Sequence, residues 1–186
     1  ARTPNEGWLI INGCDETTTG SATRRAITFD KTTQKNLQKR SSADLRPLRF
    51  QFLEKWAVLE WSGAYAEPGS KSVVFSTSQM DSWNKLNNKS RCVLLNDRNG
   101  LDAPGEWYVD TEEGYVYYIP LEGEDLRVSI VTAPVCETII RLSGSTAKPI
   151  QGIRIERLIL TNSARYSAPR LSPQQSAAGT SAAVEM

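Results

Sequence analysis

The chain has 186 residues, 22 basic against 21 acidic side chains for a formal net charge of +1, and no histidine. That length suits one domain, or one domain with part of another, and the near-neutral charge gives no reason to favour nucleic acid or an anionic membrane as a partner. Without histidine, Ser-His-Asp and Cys-His catalysis cannot be assembled from these residues, and no apolar run approaches the ~20 residues that span a bilayer.

Trp8, Leu9, Ile10 and Ile11 read as a short strand stopped by Asn12-Gly13, a dipeptide that tolerates left-handed backbone and marks a turn. Residues 15–21 are almost all polar and are predicted as a loop. Residues 26–29 give a second strand, and the polar stretch 30–42 has room for a helical turn but no sustained apolar face. Alternation at Leu48, Phe50 and Phe52 predicts a strand, and residues 57–61 predict another. Gly63, Pro68 and Gly69 then supply the turns of an all-β domain. A further strand is predicted over 72–76, and a short helix within 80–88, where Trp83 and Leu86 lie three apart. Basic residues gather at Arg24-Arg25, at Lys39-Arg40 and at Arg46 and Arg49, interspersed with polar and acidic ones. This reads as solvated loops or faces rather than a nucleic-acid groove.

Residues 105–120 carry the clearest local signal. Two alternating aromatic and aliphatic runs flank Thr111-Glu112-Glu113-Gly114, which predicts a β-hairpin with Gly114 supplying the positive φ of a tight turn. Pro120 ends the second strand by withholding a ladder donor. Trp107 and Val109 are placed on one side of the first strand, with Tyr115, Tyr117 and Ile119 on that side of the second. Three more strands are predicted over 126–131, 138–142 and 152–160. In the last of these, Ile153, Ile155, Leu158 and Leu160 form an inward set whose change of phase between Ile155 and Leu158 requires a bulge or bend.

Residues 1–8, with Ala1-Arg2-Thr3-Pro4-Asn5, residues 96–120 and residues 152–160 together resemble the N-terminal portion of carbohydrate-active proteins of the glycoside hydrolase type built on a right-handed parallel β-helix. Residues 96–120, centred on Leu101-Asp102-Ala103-Pro104-Gly105-Glu106-Trp107-Tyr108, are similar to a stretch of the β-rich domain that interrupts the helix near its start. Gly152-Ile153-Arg154-Ile155-Glu156-Arg157-Leu158-Ile159-Leu160 resembles the coil strand after that domain. Ala1-Arg2-Thr3-Pro4-Asn5-Glu6-Gly7-Trp8 is similar to the segment that leads into it, while residues 15–95 match only loosely.

The resemblance implies a mainly β chain. Residues 1–130 would be the β-sandwich-like inserted domain with its leading strand, and 131–165 the initial β-helix coil strands. Residues 166–186, rich in Ser, Ala, Pro and Gln, would be an extended or poorly ordered tail or the start of the next coil. It implies export, secreted or periplasmic, and catalytic acids on later coils beyond Met186. The first coils of a solenoid leave an apolar edge for their neighbours to cover. The expected partner is therefore the remainder of a longer polypeptide, with self-association through an exposed strand edge as the alternative.

Glu106, Trp107 and Asp110 are the candidate ligand-binding residues, because an aromatic ring flanked by acids can stack a sugar and hydrogen-bond its hydroxyls. The competing reading is structural, with acids at a solvated turn and aromatics pairing across the hairpin. Glu106 and Asp110 lie four apart on one strand, roughly 13 Å at ~3.3 Å per residue, too far for a retaining carboxylate pair. No catalytic residue is assigned. Trp8, Trp56, Trp61 and Trp83 could form a carbohydrate-binding platform, but most of them are expected in the core. Asp97-Arg98-Asn99-Gly100 is a turn without the spaced oxygen ligands of a calcium loop. Cys14, Cys92 and Cys136 are too few and too scattered for a zinc site, so neither metal nor other cofactor is expected. The cysteines read as small buried hydrophobes, with one disulfide of undetermined pairing left open. The functional expectation is a non-catalytic portion of a β-helix glycoside hydrolase that scaffolds the substrate cleft. The alternative is a stand-alone carbohydrate-binding or cell-surface interaction module.

Overall fold

A computed structural model of the chain describes residues 1–20, 22–54, 58–66, 72–77, 85–164 and 184–185. Trp56, Trp83, most of the helix predicted within 80–88 and nearly all of the tail lie outside these residues. The described chain is mainly β, with antiparallel sheets and few helices. It falls into two units, one within Ala1–Asp125 and one within Leu126–Ala168 and Gly179–Met186. Among the described residues no helix is long and apolar enough to cross a membrane.

In the first unit one sheet joins β1 (Arg2–Thr3), β2 (Leu9–Thr19), β3 (Ala22–Phe29), β4 (Arg49–Leu53), β5 (Val58–Trp61), β6 (Tyr65–Ala66), β7 (Val73–Thr77) and β8 (Arg91–Leu95). Their order is β5-β4-β8-β2-β3-β7-β6, with β1 also paired to β8. The long strand β2 serves both halves. Leu9 and Ile10 pair with Cys92 and Arg91 of β8, whereas Ile11 onward pairs with β3.

Two expectations fail on β2. Asn12-Gly13 does not stop the strand: the register shifts there as a bulge, and the Asn12 side chain donates to the Phe29 carbonyl at 2.8 Å, meeting an acceptor that the bulge would strand. The predicted loop over 15–21 is strand as far as Thr19, because Thr17, Thr18 and Thr19 find partners in Arg24, Thr23 and Ala22. β-branched threonine suits a pleated surface even where a segment is wholly polar.

The core explains why the sheet curls. Phe50 and Phe52 on β4 and Phe75 on β7 are fully buried. The Phe50 and Phe75 rings meet edge to face, with centroids 4.9 Å apart and planes at 82°, and Trp61 lies 5.4 Å from Phe75. Since β4 and β5 stand far from β7 in strand order, these contacts require the sheet to fold over on itself. Such pairs each add about 0.5–1.5 kcal/mol beyond the area they bury.

The polar stretch after β3 forms two helices, α1 (Lys31–Gln38) and α2 (Ser42–Leu45). Asp30 caps α1 by accepting from the amides of Thr32 and Thr33 at 2.9 and 3.2 Å. Only Leu37 and Gln34 of α1 are buried, and Gln34 is fixed by accepting from the Phe29 amide. This is why no apolar stripe announced the helix. Ser41 and Asp44 form a capping box on α2.

The basic clusters were expected to be solvated, but two of their arginines are buried. Arg25 is fully buried, donates to Glu16 at 2.9 Å and lies 5.3 Å from the centre of the Trp61 ring. Arg40 is nine-tenths buried against Asp97. All three cysteines are free thiols. Cys92 is buried as expected, Cys14 is half-buried with its thiol pushed up to about 11 chiefly by burial, and Cys136 is exposed.

The predicted hairpin is present as β9 (Trp107–Asp110) and β10 (Tyr115–Tyr118), with Gly114 at φ 75°. Its faces differ from the expectation. Trp107 pairs with Tyr118 and Val109 with Val116, whereas Tyr115 and Tyr117 lie opposite Asp110 and Tyr108.

In the second unit β11 (Ile140–Arg141) pairs in parallel with β12 (Val184–Glu185). The strands predicted over 126–131 and 152–160 are not formed among the described residues. The expected change of phase is there as a bend, with Arg157 at φ 58° between Ile155 and Leu158. None of residues 126–164 is buried.

Candidate functional site

The hairpin is held to the sheet by two side chains. Asn96 follows β8 with φ 53° and offers Val109 both bonds that a neighbouring strand would: the Val109 amide donates to its Oδ1 at 2.9 Å, and its Nδ2 donates to the Val109 carbonyl at 3.1 Å. Asparagine tolerates this left-handed backbone better than most residues. Glu106 is the second tie. One carboxylate oxygen accepts from the amides of Asp102 and Ala103 at 3.0 and 3.1 Å, and the other from the Arg2 amide at 3.2 Å. Burial raises the Glu106 pKa, but these amides outweigh it and hold the carboxyl below the usual glutamate value. Gly100 completes the junction, since an added Cβ there would collide with Thr3 Oγ1.

This junction creates a cleft of about 690 Å³ between the hairpin and the outer face of the sheet. Its floor follows from register: Arg2 and Arg49 both pair with Leu95, so the three side chains form one row across β1, β8 and β4. Arg46 and Pro47, from the link between α2 and β4, form one side, while Trp107 and Val109 form another. Trp107 is 55% exposed, so a large aromatic face borders the cleft. The Arg2 guanidinium is committed to the carbonyls of Pro4, Asn5 and Gly7. Arg49 lies 3.5 Å from Glu60, and Arg46 has no ion-pair partner among the described residues.

Asp110 lines a different cleft, of about 320 Å³. Its Oδ1 accepts from the amides of Glu112 and Glu113 at 3.1 and 3.0 Å, which shapes the hairpin turn and buries the carboxyl. Asp97 lines the same cleft, gripped by Arg40 through two bonds of 2.7 and 3.0 Å and by Thr3 Oγ1 at 2.7 Å. Burial would raise the Asp97 carboxyl, but these bonds together with the Asn99 amide hold it below the ordinary aspartate value. Asp44 is spent in the capping box, and Glu113 accepts from the Tyr117 hydroxyl at 3.2 Å.

Of the three residues singled out from sequence, Glu106 and Trp107 therefore share one cleft and Asp110 lines another. Both acids accept from backbone amides, and Trp107, opposite Tyr118 on the hairpin, is more than half exposed. Sequence reasoning missed Arg46, Arg49, Asn96 and the Arg40–Asp97 pair; the Arg46 and Arg49 cluster was visible only as a basic run. Chemically, the larger cleft offers a flat apolar ring, two guanidinium groups and one carboxylate already occupied by amides. This arrangement suits binding better than acid-base hydrolysis, which needs two opposed carboxyls. No protein-family model, curated protein or solved structure matches this chain.

Proposed function

We propose that this chain is a non-catalytic portion of a secreted or periplasmic β-helix glycoside hydrolase, and that it scaffolds one wall of a glycan-binding cleft. The observation that carries this reading is Trp107, more than half exposed yet fixed in place by the ties of Asn96 and Glu106 to the backbone beside it. An exposed ring on an anchored strand suits stacking on a sugar face. The curled antiparallel sheet suits the sandwich-like inserted domain of this reading. The parallel pairing of β11 with β12, together with uncovered apolar side chains such as Ile153 and Leu158, suits initial coils roofed by further polypeptide. The resemblance of residues 1–8, 96–120 and 152–160 supports the enzyme class.

The test compares the chain alone with the same chain continuous with the polypeptide encoded after it. The chain alone is expected to release no reducing ends from polysaccharide, and the continuous form to release them with a KM that rises in Trp107→Ala. Hydrolysis by the isolated chain, or a continuation without paired acids, overturns the proposal. The exposure of Trp107 also favours a second reading, a stand-alone carbohydrate-binding module. That reading requires tight, Trp107-dependent binding of oligosaccharide by the isolated chain in calorimetry.

A further inference from the structure

We infer that the cleft beside Trp107 takes an acidic glycan, with the anionic group of one sugar residue seated on Arg46 and Arg49 while the ring packs on Trp107. This inference rests on the proposal that the cleft binds glycan and names the class of sugar. The register that aligns Arg49 with Leu95 turns its side chain onto the outer face of the sheet, because Phe50 and Phe52 occupy the inner face. Arg46 projects from the chain that leads into that strand, and Trp107 borders the same 690 Å³ cleft.

The charges do not cancel. Glu106, the carboxylate bordering this cleft, is already bonded to three backbone amides. Glu60 offsets Arg49 only through a 3.5 Å contact at a half-exposed guanidinium, and the Arg2 guanidinium is turned to three carbonyls. Arg46 is exposed and has no counter-charge among the described residues. Two guanidinium groups beside an aromatic face can bind a carboxylate through forked, charge-assisted bonds and hold the sugar ring by its apolar side. A neutral sugar would leave those donors to water. A uronate carboxylate and a sulfate ester share the required charge and acceptor geometry.

The test uses calorimetry on the whole chain with three probes of equal length: an oligouronate, its methyl-esterified neutral form, and a sulfated oligosaccharide. The oligouronate is expected to bind about tenfold or more tightly than the ester, in line with a charged hydrogen bond of about 1.5–3 kcal/mol. That preference should weaken with added salt. Arg46→Ala should remove most of the preference, and Arg46→Lys should restore part of it. Trp107→Ala should weaken both. The sulfated probe identifies the source of charge: binding stronger than the uronate assigns the site to sulfate esters, and weaker binding assigns it to uronates. Equal binding of ester and uronate overturns the inference but leaves the cleft a glycan site, as does an Arg46→Ala chain that keeps the full preference. Binding of no probe overturns both the inference and the glycan-binding part of the proposed function. Hydrolysis by the isolated chain overturns only its non-catalytic assignment.

Discussion

The two units carry the same kind of sequence and do opposite things with it. In the first, Phe50 and Phe52 alternate with Arg49 and Gln51 and are fully buried; in the second, Ile153 and Ile155 alternate with Arg154 and Glu156 and are 55 and 42% exposed. Alternation specifies which face a side chain takes, but a strand forms only where a neighbour accepts its ladder bonds and covers its apolar face. In the first unit β8 lies between β4 and β2 and meets both needs. In the second, the Ala164 amide donates to the Cys136 carbonyl at 2.8 Å, yet none of residues 126–164 is buried.

The sharpest way to break this contrast is to open the packed unit. Phe75→Ala is expected to cost about 3–5 kcal/mol in denaturant unfolding followed by tryptophan fluorescence, since the ring touches both Phe50 and Trp61. A loss below about 1 kcal/mol would mean that the curled sheet is not packed as described.

Asp97→Asn should cost about 3 kcal/mol by leaving the Arg40 guanidinium buried without its counter-charge. Because the folded Asp97 carboxyl lies below its ordinary value, its contribution to stability is complete above the unfolded pKa near 4. It is lost as pH falls through the lower, folded value. Unfolding curves from pH 6 down to pH 2 should show acid destabilisation that is shallower in the variant.

Asn96→Ala tests the tie between the sheet and the hairpin. An expected loss of about 1–2 kcal/mol should appear with faster hydrogen exchange at the Val109 amide, whose acceptor is removed. Unchanged exchange there would show that Glu106 suffices to hold the hairpin. Leu158→Ala should change stability by less than about 0.5 kcal/mol in the isolated chain, as exposed positions do. The same substitution in a chain that continues past Met186 should cost far more if further coils cover that residue, and equal effects in both would remove the need for a roof.

Sequence revealed what local chemistry determines. The hairpin was legible because Gly114 and the flanking aromatic runs specify turn and strands together; β4 was legible from alternation, and β5 and β7 from short apolar runs. Helix α1 was not, because its stability comes from the Asp30 cap and one buried leucine rather than from an apolar stripe. The far half of β2 was missed because its threonines become a strand only through partners on β3. At the site, Trp107 could be named from its neighbours. The arginines could not be joined to it, because their row on the sheet depends on the pairing of β1, β8 and β4, which no single segment encodes.

The double service of β2 also governs how the first unit comes apart. Its opening residues bind one flank and the remainder binds the other, like a spine stitched to two covers. Detaching it would strip a rail from both flanks at once, leaving neither a finished margin. Loss of order in either flank should therefore spread to its opposite, and a single calorimetric peak should mark the melting of both.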